Sequence, residues 1–224
     1  MKLWAYLKYF FYIAANWNLR LAMFLFYHEV RGERKYGVHT TGWISLREFD
    51  LKEEDIVNGE EYQGAGYYQL EKVFDFLKKE KAIGGIVDLG SGKGRVLAVA
   101  AEYGFKHIVG VELVAELCNA AEKNLKLVRK KHPQTDIRVV NQNVLQYTID
   151  PEINVFFFFN PFNQVVMRKV VEAILRSLIT HPRKVYVAYI NPQHEELFLA
   201  AGFKQLFHLQ KMKYIHASVL CKTP

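Results

Sequence analysis

Disulfide and metal-binding patterns are missing from this sequence of 224 residues. Its two cysteines, Cys118 and Cys221, stand far apart, and no CxxC pair is present. This cysteine usage suits a reducing compartment and argues against a disulfide framework or a thiolate zinc site. The eight histidines are scattered without an HExxH or comparable ligand spacing, so we expect no metal.

A hydrophobic run long enough to cross a membrane is also missing. The longest uncharged run, Tyr9 to Leu19, has eleven residues, whereas a spanning helix needs ~20. A secretory signal is not expected either, because the apolar part is rich in bulky aromatics and charge recurs at Arg20. We therefore predict a cytoplasmic protein, either free or peripheral to a membrane.

The sequence has no arginine-rich arm and no basic motif interleaved with aromatics, which argues against a dedicated nucleic-acid module. Its net charge is nevertheless +7, and the charge is unevenly spread. Segments 1–39, 123–138 and 168–213 are basic, whereas segment 40–85 is acidic. The basic segments could attract RNA or an anionic membrane surface. We favour the alternative that they form solvated helix faces.

What the sequence does contain is a strand, a glycine-rich loop and a helix in succession. Ile86 to Leu89 predicts a short buried strand, Gly90-Ser91-Gly92-Lys93-Gly94 follows it, and a helix is predicted from Arg95 to about Tyr103. Glycine lets the chain turn at positive φ and bring backbone N–H groups close to a ligand. This arrangement predicts a nucleotide cradle.

The next predicted strand, from His107 to Val111, ends in an acid. Glu112 lies eighteen residues beyond Gly94, where βαβ geometry places a carboxylate within reach of a ribose diol. The dinucleotide fingerprint has a glycine at the sixth position of the loop, and this sequence has Arg95 there. The two motifs together indicate a nucleoside-containing cofactor.

The run from Asp88 to Gly94, followed by Val109-Gly110-Val111-Glu112, resembles motifs I and II of the class I S-adenosylmethionine (SAM)-dependent methyltransferases. The resemblance implies SAM as cofactor, with the glycine loop beside its methionine part and Glu112 on both ribose hydroxyls. In that family an acid near the position of Asn143 takes the adenine amino group, and the next backbone N–H meets the ring. The Asn143 amide oxygen can accept the same hydrogen bond. The alternative is a glycine-rich turn in an unrelated α/β domain. The implied cofactor-binding residues are Asp88, Gly90, Ser91, Gly92, Gly94, Glu112, Leu113, Asn143 and Val144.

Apolar segments on both sides of these motifs complete a sheet. Helices are predicted at 67–81, 114–131, 164–180 and 193–201, and strands at 137–140, 154–159 and 184–190. Segments 203–209 and 214–221 predict an antiparallel pair, which is typical of methyltransferases. We predict an α/β fold with a Rossmann-like, doubly wound, mostly parallel seven-stranded sheet and a terminal antiparallel hairpin. The predicted domains are an N-terminal helical extension with a connecting segment, 1–58, and a SAM-dependent methyltransferase domain, 59–224.

Residues 1–28 predict one amphipathic helix. It could pack on the rest of the chain or on a second copy, or it could lie on a membrane surface. We favour packing within the protein. Residues 31–55 are predicted to connect this helix to the domain, with at most a short helix. The apolar stripe consists of Leu3, Leu7, Phe10, Ala14, Trp17, Leu21, Phe24 and His28.

Asn160-Pro161-Phe162 follows the predicted strand at which the sheet order reverses, and ligands bind at such a point. The Asn160 side-chain oxygen and the Pro161 carbonyl could hold the N–H groups of an acceptor, with the Phe162 ring as a wall. The tripeptide resembles the Asn/Asp-Pro-Pro-aromatic motif of amino-group methyltransferases, with one proline missing. The alternative is a plain strand-terminating turn.

Tyr62 and Tyr67 stand just ahead of a predicted helix, where they could line the acceptor pocket or belong to the core. We expect methyl transfer to a nitrogen, with a protein lysine or another amine ahead of an RNA base. The alternatives are an RNA or small-molecule methyltransferase and a non-catalytic SAM-binding scaffold tethered through residues 1–28.

Overall fold

The structure, a computed structural model, describes residues 2–224, and the side chains of Lys2, Leu3 and Ala5 lie outside that description. The predicted place of Leu3 in the apolar stripe therefore falls outside the described residues. The helices are α1 (Lys2–Asn16), α2 (Leu19–Tyr36), α3 (Glu53–Asn58), α4 (Tyr67–Lys79), α5 (Arg95–Tyr103), α6 (Ala115–Lys131), α7 (Gln164–Thr180) and α8 (Glu195–Ala200). The strands are β1 (Trp43–Ile44), β2 (Tyr62–Gln63), β3 (Gly85–Leu89), β4 (His107–Glu112), β5 (Asp136–Asn141), β6 (Ile153–Phe159), β7 (Val185–Ile190), β8 (Lys204–Lys211) and β9 (Ile215–Lys222).

Seven strands form one sheet in the order β5-β4-β3-β6-β7-β9-β8. β3 pairs in parallel with both β4 and β6, whereas β9 runs antiparallel to β7 and β8. The strand order reverses between β3 and β6, so a crevice opens at the carboxyl ends of these strands. This is the predicted Rossmann-like sheet with its terminal antiparallel hairpin. β1 and β2 pair separately as a small two-stranded sheet.

The central strands face two hydrophobic cores, one on each side of the sheet. In β6, Val155 and Phe157 belong to one core, and Phe156 and Phe158 belong to the other. α4, α5 and α6 cover the first core, and α7 and α8 cover the second. A strand that is buried on both faces is apolar throughout, which explains the continuous apolar run in this part of the sequence.

The prediction of a single helix over residues 1–28 is wrong, because the chain turns between α1 and α2. Asn18 has an extended backbone, and its side-chain oxygen accepts a hydrogen bond from the N–H of Leu21 at 2.8 Å. An asparagine in this role begins a new helix. α2 then runs through part of the predicted connecting segment and ends at Gly37, which has a left-handed backbone with φ 68°.

The inner face of the α1–α2 hairpin packs against the domain, as the apolar stripe favoured. Leu21 and Ala22 share a buried cluster with Ile215 of β9, and the Phe24 ring centroid lies 5.0 Å from that of Tyr68. Trp17, which the stripe placed on this face, is instead 43% exposed. Within residues 2–224, no helix combines the length and the apolarity that crossing a bilayer requires.

Two buried acids on α2 explain why this helix continues further than predicted. Glu29 and Glu33 are 4% and 6% exposed, although polar residues at these positions look solvent-facing in the sequence. Both lie against the guanidinium group of Arg95, at the start of α5. A charge can be buried when it is paired with an opposite charge. The buried Arg95 therefore allows this polar face of α2 to pack against the domain. The boundary at residue 58 stays a prediction.

Candidate active site

A cavity of about 370 Å³ opens at the carboxyl ends of β3, β4, β6 and β7. Its size is within the range of small-molecule sites. It lies at the predicted switch point and is bordered by the loops that follow these strands. The predicted site residues that line it are Tyr62, Gly90, Gly92, Glu112, Leu113, Asn143, Val144, Asn160, Pro161 and Phe162.

The glycine loop is packed so tightly that side chains are excluded at two of its positions. Gly90 and Gly92 have φ angles of 94° and 52°. A Cβ on Gly90 would lie 2.6 Å from the Cβ of Pro161, and one on Gly92 would lie 2.4 Å from the Tyr62 ring. The loop therefore needs glycine both for its backbone conformation and for its contacts. It forms a cradle between the Asn160-Pro161-Phe162 turn and Tyr62.

The Glu112 carboxylate is held in one orientation by the backbone around it. One oxygen accepts a hydrogen bond from the Gly92 N–H at 2.8 Å, and the other accepts from the Val114 N–H at 2.9 Å. Burial raises the pKa of this carboxyl, while both N–H groups act to lower it. Each carboxylate oxygen has a second lone pair, so Glu112 can still accept two hydroxyl hydrogen bonds from a ribose.

Three predicted cofactor residues do not line the cavity. Asp88 is buried within β3 behind the loop, and burial, followed by the nearby Glu112 charge, raises the pKa of its carboxyl well above the usual range. The Ser91 hydroxyl is buried against Gly110. Gly94 packs against Ala121 of α6. These residues shape the loop from behind.

Asn143 follows β5, lines the cavity and already makes two hydrogen bonds. Its side-chain oxygen accepts from the Leu145 N–H at 2.9 Å, and its amide nitrogen donates to Asp55 at 3.1 Å. A carboxylate therefore stands beside position 143 in space, although the sequence has an amide there. Asp55 also lines the cavity.

Two asparagine oxygens are buried without a hydrogen-bond partner at the ends of neighbouring strands. Asn160 follows β6 and Asn191 follows β7, and both line the cavity. Both have left-handed backbones, with φ angles of 40° and 49°, a conformation that asparagine tolerates better than most residues. Asn191 is not among the predicted site residues. The signal was present, because Asn191-Pro192 repeats the Asn-Pro dipeptide that follows β6.

The Pro161 carbonyl is already engaged, which differs from its expected role. It accepts a hydrogen bond from the Glu60 N–H at 3.3 Å. Gly59 forms an isolated antiparallel bridge with Phe162, and the Asn163 N–H donates to the Asn58 carbonyl at 3.0 Å. The segment 58–60 is thus attached along the Asn160 turn by main-chain hydrogen bonds and by one bond from the Asn163 side-chain amide to the Asn58 side-chain oxygen at 2.8 Å.

The two predicted pocket tyrosines have different surroundings. The Tyr62 ring borders the cavity, its hydroxyl donates to the Thr40 carbonyl, and the Lys93 ammonium lies 4.6 Å from its ring centroid. Tyr67 is buried away from the cavity, stacked on Tyr36 and 4.2 Å from the Arg95 guanidinium carbon. Tyr67 therefore belongs to the hydrophobic core and does not line the cavity, contrary to the prediction.

Four acids at the mouth of the cavity were also missed, because the acidic segment 40–85 carries no motif. One of them, Asp55, is partly buried, and the others are exposed. Their carboxylates give the mouth a negative field in a chain whose net charge is +7. They are Glu54, Asp55, Glu60 and Glu61.

A potential metal-ligand group lies at the other end of the sheet. His107, Asp150 and Glu152 have ligand atoms within 4.8 Å of one another. The His107 ring also bonds to Asp136 at 2.8 Å and faces Asp150 at 3.3 Å. The group lies near the amino ends of β4 and β6, away from the cavity.

A seven-stranded sheet with a terminal antiparallel hairpin, a glycine loop at its switch point and an acid at the end of the neighbouring strand are the features of the class I SAM-dependent methyltransferase fold. The cavity fits this cofactor class, because its glycine loop has room only for backbone and Glu112 in its lining can still accept hydroxyl hydrogen bonds. A family model described as histone methylation protein DOT1 matches residues 48–150. This range includes the acidic mouth, the glycine loop and Glu112.

Solved methyltransferase structures share the fold at low sequence identity. The yhhF protein of Escherichia coli, described as a methyltransferase, has a TM-score of 0.55 and 16% identity, over 70% of this chain and 87% of that chain. The methyltransferase domain of bacterial CtHen1-C has a TM-score of 0.54 and 16% identity, over 70% and 97%. PH1948 of Pyrococcus horikoshii, described as an RNA methyltransferase, has a TM-score of 0.52 and 16% identity, over 77% and 90%. No curated protein matches the chain in sequence.

Proposed function

We propose that this enzyme methylates an amine nitrogen, with a protein lysine as the leading acceptor. The observation that carries the proposal is the pair of buried, unpartnered oxygens on Asn160 and Asn191. A buried acceptor without a donor costs free energy, about 1–3 kcal/mol. A bound ligand with N–H groups would remove that cost, and an amine has such groups on the atom that receives the methyl.

The two asparagines would act by orientation. When bound, SAM supplies an electrophilic methyl group. Oxygens that hold two N–H groups of a neutral amine leave its lone pair pointing in one direction, so the nitrogen is held for in-line attack. The Phe162 ring beside them would exclude water and provide a cation–π surface for a charged amine before it loses its proton.

The acidic mouth supports a cationic acceptor over a phosphate-bearing one. Glu54, Asp55, Glu60 and Glu61 would attract a lysine side chain and repel an RNA backbone. The family model that covers this segment is described by histone methylation, which also supports a protein acceptor. RNA stays the second candidate, because one structural relative is described as an RNA methyltransferase and segments 123–138 and 168–213 are basic.

Within this proposal the cofactor residues have separate roles. Gly90 and Gly92 form the cradle for the methionine part, Glu112 with Leu113 binds the ribose, and Asn143 with Val144 receives the adenine. Asp55, hydrogen-bonded to Asn143, would add the carboxylate for the adenine amino group. Asp88, Ser91 and Gly94 would support the loop without touching the ligand.

A transfer assay on fractionated pools tests the proposal. The purified enzyme is incubated with SAM carrying a tritiated methyl group and with separate protein, RNA and metabolite fractions from cells. We expect label in protein, which mass spectrometry places on lysine, and loss of that label with Asn160→Ala. Label only in RNA or metabolites would contradict the lysine assignment. Cofactor binding without transfer to any pool would favour the non-catalytic scaffold.

A further inference from the structure

We propose that an exposed aromatic face of the N-terminal hairpin binds the surface of an anionic lipid bilayer. All three tryptophans of the chain are exposed, with Trp4, Trp17 and Trp43 at 64%, 43% and 61%. Single exposed apolar residues are ordinary, but a contiguous exposed aromatic patch marks an interaction site. We define the aromatic face as Phe11, Tyr12, Trp17, Leu19, Trp43 and Tyr214.

Four rings of the aromatic face are in contact although they come from separate parts of the chain. The Tyr12 ring centroid lies 5.7 Å from that of Trp43 and 5.8 Å from that of Trp17. The Trp17 centroid in turn lies 6.3 Å from that of Tyr214. α1, the turn before α2, β1 and the β8–β9 turn therefore converge on one surface. This surface forms only when the chain folds, because its residues come from four separate segments and not from one apolar helix.

The charges around this face complement an anionic surface. Arg20 follows Leu19, and the Lys213 ammonium lies 5.8 Å from the Tyr214 ring centroid. Residues 1–28 contain Lys2, Lys8 and Arg20 and no Asp or Glu. Tryptophan and tyrosine with neighbouring cations are typical of segments that lie at the headgroup level of a membrane.

The other two occupants that the sequence allowed fit this face less well. The domain of the same chain already packs against the inner face of the hairpin, where Leu21 and Ala22 contact Ile215. It therefore does not cover the outer face. A twofold dimer through the outer face would bring the same patch of two copies together. The cations of the two patches, Arg20 and Lys213, would then be brought together, and like charges would repel. A bilayer surface accepts both the rings and the cations.

The face is connected to the cavity by one pair of strands. Trp43 belongs to β1, and Ile44 of β1 pairs with Tyr62 of β2, whose ring borders the cavity. The aromatic face and the cavity therefore share the two-stranded sheet of β1 and β2. Binding itself does not depend on the identity of the methyl acceptor, so it can fail or succeed independently of the proposed amine methylation.

Vesicle binding by the full chain tests the proposal. We expect the protein to co-sediment with vesicles of phosphatidylcholine containing a quarter phosphatidylglycerol, and to bind about tenfold less to phosphatidylcholine alone or at about 0.5 M salt. The tryptophan emission should shift to shorter wavelength on binding, because the tryptophans near the membrane leave water.

Two double variants and a control distinguish the contribution of the aromatic rings to vesicle binding from that of the charges. Trp17→Ser with Trp43→Ser should weaken vesicle binding about tenfold or more, and Arg20→Glu with Lys213→Glu should do the same with the rings intact. Ile179→Ser removes an apolar side chain that is 79% exposed on α7 and should bind like the wild type. Binding to neither vesicle, equal binding to both, or a concentration-dependent dimer without vesicle binding would each overturn the proposal.

Discussion

Arg95 is joined to Glu29 by a charged hydrogen bond that is closed off from water. The Arg95 Nη1 donates to a Glu29 oxygen at 2.9 Å, and the two residues are 3% and 4% exposed. Arg95 directly follows the last glycine of the loop, and Glu29 belongs to α2. The guanidinium group also donates to Thr40 and to the Ala65 carbonyl. One side chain therefore ties the cofactor loop to the N-terminal hairpin.

Removing the acid from this pair should destabilise the whole protein. Glu29→Gln leaves the buried guanidinium with an incomplete counter-charge, and losing one partner of a buried pair costs about 3–5 kcal/mol. Chemical denaturation measures the change. Glu53→Gln is the matched control, because it breaks the exposed Arg47–Glu53 pair and should cost less than about 0.5 kcal/mol. Equal losses of stability in the two variants would show that the buried Arg95–Glu29 pair contributes no more than an exposed ion pair.

Deleting residues 1–28 should expose the surface that the hairpin covers. Ile215 and Tyr68 lose their contacts with Leu21 and Phe24, so the truncated protein should aggregate or melt several degrees lower. Differential scanning calorimetry beside light scattering checks this. A soluble truncation with an unchanged melting temperature would show that the inner-face contacts do not contribute to stability.

The cofactor assignment predicts different outcomes at two glycines with similar backbones. Gly92→Ala puts a Cβ 2.4 Å from the Tyr62 ring and should abolish or strongly weaken SAM binding. Gly37→Ala has a comparable φ of 68° but meets nothing within 4 Å, so it should cost about 1–2 kcal/mol of strain without changing the affinity. Titration calorimetry with SAM measures both. Unchanged affinity in Gly92→Ala would contradict the cradle.

Turnover and cofactor affinity should separate at the two unpartnered asparagines. Asn160→Ala and Asn191→Ala should each lower kcat about tenfold or more and leave SAM affinity within about twofold, since the lost contacts belong to the acceptor. Asn160→Asp keeps an acceptor oxygen and tolerates the left-handed backbone, so it should retain more activity than Asn160→Ala. The exposed Asn119 provides a control through Asn119→Ala. Parallel loss of affinity and turnover would make Asn160 a cofactor or folding residue.

The buried carboxyl of Asp88 should make the free protein less stable as pH rises. Burial raises the pKa of Asp88, so the folded state holds this proton at pH values where the unfolded chain, with a pKa of about 3.9, has lost it. Stability then falls by up to about 1.4 kcal/mol per pH unit within that window. Asp88→Asn should flatten this slope in denaturation at several pH values, whereas exposed Asp50→Asn should not. If the stability of Asp88→Asn fell with pH as steeply as that of the wild type, the prediction would be contradicted.

The sequence predicted the sheet well because its signals are local. The bounds of α5, Arg95 to Tyr103, follow from the last loop glycine and from Gly104, and the buried strands are continuous apolar runs. The α1–α2 turn was missed because Asn18 interrupts an apolar stripe that continues on both sides of it. α2 beyond His28 was missed because the burial of Glu29 depends on Arg95, which is 66 residues away.

The residues that line the cavity differ in the same way. The glycine loop, Glu112 and the Asn160 turn are contiguous motifs, so the sequence could indicate that they lie near one another. Asp55 could not be predicted, because its place beside Asn143 depends on how α3, which carries Asp55, lies against the loop after β5. Tyr67 could not be told apart from Tyr62 by sequence, since both are tyrosines near a helix start and only one of them faces the cavity.

The attachment of segment 58–60 to the Asn160 turn has an evolutionary consequence. The Glu60 N–H donates to the Pro161 carbonyl and the Asn163 N–H donates to the Asn58 carbonyl. These are main-chain groups, so any residue can accept these bonds and any residue except proline can donate them. The side chains at Glu54, Glu60 and Glu61 can therefore change without releasing the segment from the turn. A relative of this protein can exchange the charge at the mouth in single mutational steps while the glycine loop and Glu112 stay the same.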